Sequence, residues 1–153
     1  RRVSCFIHNT VHSYASEDSA VAMLFFENGA LGTVDTFFCI PDNSSRNALE
    51  LYGSKGSILA WGTIGQGEAG QMLACLEADA AGYDAQQSRP AGSGVPIAPE
   101  PVNTYRAEIE DFSRALLAGT SCAHSAQAGL RSQIILAACY ESARTGRAVD
   151  IEG

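Results

Sequence analysis

The sequence predicts an α+β fold: an open, mainly antiparallel sheet with helices packed on one face and the other face available for subunit packing. Three observations carry this. The first half holds short apolar runs separated by turn signals, and the last third carries apolar residues at helical spacing. Strands come first and helices afterwards, which is the order of an α+β chain and not of βαβ repeats. The strands are apolar on both faces, so helices on one side leave a second apolar face to be covered.

The elements follow in order. Arg2 to Val11 is β-branched and aromatic enough for a first strand. Asp18 to Phe26 gives a second and Leu31 to Ile40 a third. Between them stands Asn28-Gly29, whose tolerance of positive φ makes it a strong hairpin signal. In the second strand Val21, Met23 and Phe25 point one way, and Ala20, Ala22, Leu24 and Phe26 the other. Ala48 to Tyr52 and Ser57 to Trp61 flank Gly53-Ser54-Lys55-Gly56, a second hairpin. Met72 to Leu76 is a further strand. Residues 82–102 hold most of the prolines and read as a loop or extended crossing segment.

The helical third opens with Asn103 as a cap, followed by one apolar stripe of Tyr105, Ile109, Phe112 and Leu116. Arg106 with Glu110, and Glu110 with Arg114, are spaced as ion pairs on the other side, and Gly119 ends the helix. Ser125 caps a second helix that carries Leu130, Ile134, Ala137, Ala138 and Glu141 at helical spacing and ends at Gly146. Ala148 to Ile151 is suited to docking as an edge strand.

Composition bounds the function. With 153 residues, 46% of them hydrophobic, the chain is long enough for one domain with a real core. A net charge of −7 argues against nucleic-acid or anionic-membrane surfaces. No apolar run is long enough for a membrane span, and the start lacks the pattern of a signal peptide. There is no initiator Met, so the chain reads as cut from the interior of something longer. The five cysteines are odd in number and widely spaced with no C-x-x-C, as expected of buried free thiols in a reducing cytoplasm.

Several motifs invite a site and are weaker than they look. GQGEAG, residues 65–70, has the G-x-G-x-x-G spacing of a dinucleotide loop, and Asp84 stands at about the distance of the ribose-binding acid. That reading needs a parallel βαβ unit, with a helix from QMLACLEADAAG and then a central strand. The proline-rich 82–102 stretch cannot supply the strand, so a glycine-rich turn is the expectation. His8 and His12 on an extended chain lie too far apart for one metal ion. Cys122-Ala123-His124 lacks a second ligand pair for zinc and a third orienting group for a Cys–His nucleophile. Gly53-Ser54-Lys55-Gly56 is too short for a phosphate loop. Glu108, Glu110 and Asp111 fit the solvated face of a helix better than an acid/base pair. No catalytic, cofactor-binding or metal-ligating residue emerges from the residues alone.

Four stretches in order resemble one family: EDSAVAMLFFENGALGTVDT (17–36), LELYGSKGSILA (49–60), YRAEIEDFSRALLAGT (105–120) and AGLRSQIILAACYESARTGRAVDI (128–151). They are similar to the C-terminal domain of the glucose–fructose oxidoreductase, inositol dehydrogenase and MocA family (Gfo/Idh/MocA). The resemblance implies a single C-terminal, substrate-side and oligomerisation domain over 1–153, with the sheet face packing a homodimer or homotetramer. It implies a parent enzyme, an oxidoreductase using NAD or NADP on a sugar, cyclitol or related polyol, in the cytoplasm. Its cofactor site and its proton-transfer Lys and His would lie in an N-terminal Rossmann domain, because this chain has no Glu-Lys-Pro and neither His8 nor His12 matches the catalytic His. The chain alone is therefore expected to be inactive and not to bind NAD. The connection after the third strand approaches the substrate cleft in the family. Here it offers Asn43, Ser44, Ser45 and Arg46, which suit hydroxyls and anions. It lacks the tyrosines that some inositol dehydrogenases use there. The alternative is a stand-alone, non-catalytic dimerisation or small-ligand-binding module.

Overall fold

A computed structural model describes residues 1–76 and 94–151. The chain divides into two compact units, Arg1–Ser45 with Thr120–Gly153, and Arg46–Gly119. Among the described residues each holds a four-stranded antiparallel sheet and one α-helix, so the α+β expectation holds, with the strands shared between two sheets.

The first unit contains β1 (Arg2–His8), β2 (Ser19–Phe25), β3 (Leu31–Phe37), α2 (Ala126–Thr145) and β8 (Val149–Asp150), in the sheet order β3-β2-β1-β8. The Asn28-Gly29 hairpin forms as expected. Gly29 takes φ 87°, and the Asn28 side chain accepts from the Ala30 amide at 3.0 Å. The C-terminal edge strand also forms. It pairs Val149 with Val3, and Arg2 reaches across to Asp150 with Nε and Nη2 at 2.6 and 3.0 Å.

The core of this unit is Val3, Cys5, Ala22 and Ala138, with Ile7, Leu24, Cys139, Val149 and Ile151 packed around it. Small residues let α2 lie close on β1, and Ser142 completes the contact. Its Oγ accepts from the Cys5 amide at 2.9 Å and donates to the Arg147 carbonyl at 2.7 Å. The packing face of α2 is therefore turned by about one position from the stripe read in the sequence. Ala138 and Ser142 are buried, whereas Leu130 and Ile134 are exposed.

Strand pairing settles which residues share the other face. Arg2, Phe25 and Leu31 form one row, Ser4, Met23 and Thr33 the next, then Phe6, Val21 and Asp35, then His8, Ser19 and Phe37. This is the uncovered face foreseen in the sequence: Phe6 is 75%, Met23 61% and Leu31 80% exposed.

The second unit contains β4 (Ala48–Gly53), β5 (Gly56–Trp61), β6 (Gln71–Leu76), β7 (Val95–Ile97) and α1 (Thr104–Ala118), with sheet order β4-β5-β6-β7. Gly53 pairs with Gly56 across a two-residue turn, as the second hairpin requires. Strand β7 falls inside the segment read as loop. It is three residues long with Pro96 at its centre, which only an edge strand tolerates.

Both helix caps are as read. The Asn103 side chain accepts from the Arg106 amide at 2.9 Å and Gly119 turns left-handed. Ser125 accepts from the Ala128 amide at 3.2 Å and Gly146 turns left-handed. Arg106 pairs with Glu110 at 2.6 Å, which holds that carboxyl below its usual range. Arg114 instead donates to the Glu110 carbonyl at 3.2 Å.

Candidate functional site

The polar end of the first sheet is built on one row of residues. β1 leaves the sheet at His8, β2 enters at Ser19 and β3 leaves at Phe37, and these three are paired side by side. The chain after β3 runs through Pro41 into a 3-10 turn, Asp42–Ser44. The Ser44 amide donates to the Pro41 carbonyl at 2.8 Å, and the Ser45 amide to Pro41 and Asp42 at 3.1 and 3.2 Å. Proline at the entry pre-sets the backbone for such a tight turn. Asn43, Ser44, Ser45 and Arg46 are all exposed on this stretch, with Ser45 closing the first unit and Arg46 opening the second. Amide, hydroxyl and guanidinium groups in series give donors and acceptors for hydroxyls and a fixed positive charge for an anion.

Where the connection after β3 begins, with the Phe38 amide donating to the Asp18 carbonyl at 2.7 Å, lies a buried carboxylate that sequence reasoning passed over. Asp18 is 2% exposed. Its Oδ1 accepts from the Thr10 amide at 2.7 Å, and its Oδ2 from the Val11 and His12 amides at 2.8 and 2.9 Å. Ser19 Oγ donates to Oδ1 at 2.9 Å. These amides are taken from the β ladder, which is why β1 stops at His8 and not at Val11 as its composition predicts. The charged form is solvated by protein donors, above all the His12 amide, so the carboxyl titrates far below its usual range. The signal in the sequence was an Asp at the start of a strand after a nine-residue loop, Asn9–Glu17, which says nothing about which amides it will meet.

The sign of the pH effect follows. A depressed folded pKa contributes stability that is present above the unfolded value, about 3.9, and is lost as pH falls below it. The melting temperature of Asp18→Asn should therefore lie well below wild type at pH 7, and the gap should shrink from about pH 4 downward. Thermal melts monitored by circular dichroism across that range check it. A gap constant with pH would remove the linkage.

The other sequence candidates are not brought together. His12 stacks on Tyr14 with ring centroids 5.0 Å apart, and His8 sits at the end of β1. Cys122 Sγ donates locally to the His124 carbonyl at 3.3 Å. Glu108 is exposed on α1. Among the described residues no group of three or more His, Cys, Asp or Glu is placed to hold a metal ion. No helix of the described residues is long and apolar enough to cross a membrane. Cys5 is buried and the other four cysteines are half-buried, all as free thiols.

The glycine fingerprint lies in the connection between β5 and β6, which pair antiparallel, and the residues after it form β6 and not a helix. The turn reading holds; Asp84 lies outside the described residues. Asn47 clamps this connection, accepting at its carbonyl from the Gly62 amide at 2.9 Å and donating from Nδ2 to the Ile64 carbonyl at 2.7 Å. Gly70 is the glycine the turn needs most, since a Cβ there would stand 2.6 Å from the Gly62 backbone.

Solved structures with this fold are numerous. The aldose–aldose oxidoreductase of Caulobacter crescentus, in complex with glycerol, superposes with a TM-score of 0.77 at 21% identity, over 97% of this chain and 40% of that one. Levoglucosan dehydrogenase, in complex with NADH and levoglucosan, gives 0.77 at 20% identity, over 99% of this chain and 45% of that one. An oxidoreductase from Agrobacterium radiobacter, in complex with NAD+, L-tartaric acid and magnesium, gives 0.70 at 19% identity, over 98% and 43%. The chain thus spans less than half the length of each of these structures. No curated protein sequence matches it. Residues 7–151 match the family described as "Oxidoreductase family, C-terminal alpha/beta domain". On that match, which takes in nearly every element described above, the chain belongs to the Gfo/Idh/MocA oxidoreductase family as its C-terminal α/β domain.

Proposed function

We propose that this chain is the substrate-side and oligomerisation domain of an NAD(P)-dependent oxidoreductase acting on a sugar, cyclitol or related polyol in the cytoplasm. The observation that carries the reading is the family match over residues 7–151. The sugar and polyol ligands of the similar structures support the substrate class. The nicotinamide, held by a preceding domain, supplies the hydride chemistry. This chain contributes the Asn43–Arg46 stretch, whose donors and acceptors hold hydroxyls and fix the ring's orientation. It carries no acid/base or cofactor-binding residue and is inactive alone.

Full-length enzyme assayed against a panel of sugars and polyols should show NAD(P)-linked turnover. Arg46→Ala should raise the substrate KM about tenfold, the loss of one charge-assisted contact, with thermal stability unchanged. No turnover on any member of the panel would overturn the substrate class.

The uncovered face of the first sheet is the proposed subunit interface. Phe6, Val21, Met23, Phe25, Leu31 and Phe37 share it, and an apolar surface shared by adjacent strands is suited to packing against another subunit. Met23→Glu, at the middle of β2, should convert an oligomer to monomer in sedimentation velocity by burying an unpaired charge. A wild-type protein that stays monomeric at high concentration would refute the interface.

A further inference from the structure

We infer that Asp18, acting with Ser19, is a positioning residue that fixes the loop after β1 and the connection after β3 as one unit at the substrate end of the first sheet. The inference rests on the functional reading above and names which buried groups hold that end in shape.

Two loops leave the sheet from the row His8, Ser19 and Phe37. One runs from Asn9 to Glu17, the other from Phe38 toward Asn43 and Ser45. Asp18 binds both. Its carboxylate takes the amides of Thr10, Val11 and His12, and its carbonyl accepts from the Phe38 amide at 2.7 Å. Ser19 extends the tie. Its hydroxyl proton goes to Asp18 at 2.9 Å, so its lone pairs face Thr10 Oγ1 at 3.1 Å and Cys39 Sγ at 3.4 Å. The far limb of the first loop is held separately, by Asn9 Nδ2 donating to the Tyr14 and Ser16 carbonyls at 2.8 and 2.6 Å.

The loop after β1 is exposed and its amides would be satisfied by water if it were free. Binding three consecutive amides to one buried carboxylate instead gives the loop a single conformation. The Ser19 hydroxyl then locks that conformation to Cys39, four residues before Asn43. A substrate contact displaced by about 1 Å can lose two orders of magnitude in rate, so a rigid second layer behind an exposed binding stretch has a functional effect that stability alone does not require.

Two variants separate the roles. In Asp18→Asn one oxygen can still accept two amides, but the carboxamide N–H2 then meets the remaining amide donor. Ser19→Ala keeps the carboxylate and its three amides and removes the hydroxyl's bond to Asp18 Oδ1 together with the link to Thr10 Oγ1 and Cys39 Sγ. In full-length enzyme the substrate KM should rise about tenfold in Asp18→Asn and about threefold in Ser19→Ala. The KM for the nicotinamide cofactor should stay unchanged and kcat should stay within about twofold. Hydrogen exchange should quicken at Thr10–His12 in Asp18→Asn, and at Phe38 and Cys39 in both. If Asp18→Asn does not fold, the Ser19→Ala values decide alone. Unchanged substrate KM in the folded variants, against wild-type turnover of a sugar or polyol, would overturn the inference and leave the functional reading standing. A wild-type enzyme without such turnover would instead overturn the reading on which the inference rests.

Discussion

Gly56→Ala should destabilise the chain by about 2–4 kcal/mol, a large effect for one added methyl group. Gly56 opens β5 with φ 133°, a conformation that side chains avoid. A Cβ would also overlap the Cys75 carbonyl oxygen and stand 2.9 Å from Leu76 Cα, in the paired strand β6. Both neighbours are backbone of a sheet partner, so neither can yield without breaking the Gly56–Leu76 register. Gly53→Ala, in the same hairpin, is the control. Its nearest neighbour is the Gly56 carbonyl oxygen at 3.9 Å, an ordinary contact. Urea denaturation of the two variants should separate them by most of the predicted difference. Equal midpoints would show that the turn relaxes more easily than its geometry suggests.

Ser142→Ala should cost about 1–3 kcal/mol, although it removes one oxygen atom. The Ser142 hydroxyl is the acceptor for the Cys5 amide and the donor to the Arg147 carbonyl. Ser142 is 1% exposed, and water cannot replace it without opening the contact between α2 and β1. The loss therefore falls on the two backbone groups left behind more than on the hydroxyl itself. Native-state hydrogen exchange should report it as faster exchange of the Cys5 amide, with the amides of β2 and β3 following only the global change. A Cys5 amide as protected as in wild type would show that a water or a shifted helix had taken over. Ser142 was legible in the sequence only as a polar residue within an apolar helix, one step off the stripe that spacing favoured.

How much of this protein could be read from its residues depended on the range of the forces involved. Asn103, Gly119, Ser125 and Gly146 bounded their helices correctly because capping is decided within four residues. Asn28-Gly29 and the Gly53–Gly56 turn set their hairpins for the same reason. Strand β7 was hidden because Pro96 interrupts the two β-branched residues Val95 and Ile97, and it forms by pairing with β6. The length of β1 was overestimated because Asp18, six to eight residues further along, takes the amides that would have continued the ladder. The binding stretch Asn43–Arg46 came from family resemblance, and its 3-10 turn gives it a definite shape.

The sequence by itself determined the element order, the caps, the hairpins and the presence of two apolar faces on β2. Each of these follows from backbone conformational preference or from the two-residue period of a strand, and both are local. Tertiary structure alone decided which face α2 covers, which residues of α2 do the covering, how the strands divide between two sheets, and that one buried carboxylate serves two loops. Those outcomes depend on which distant groups arrive at hydrogen-bonding distance of each other. The pairing of Cys5 with Ser142, 137 positions apart, is fixed only when the helix and the sheet have met.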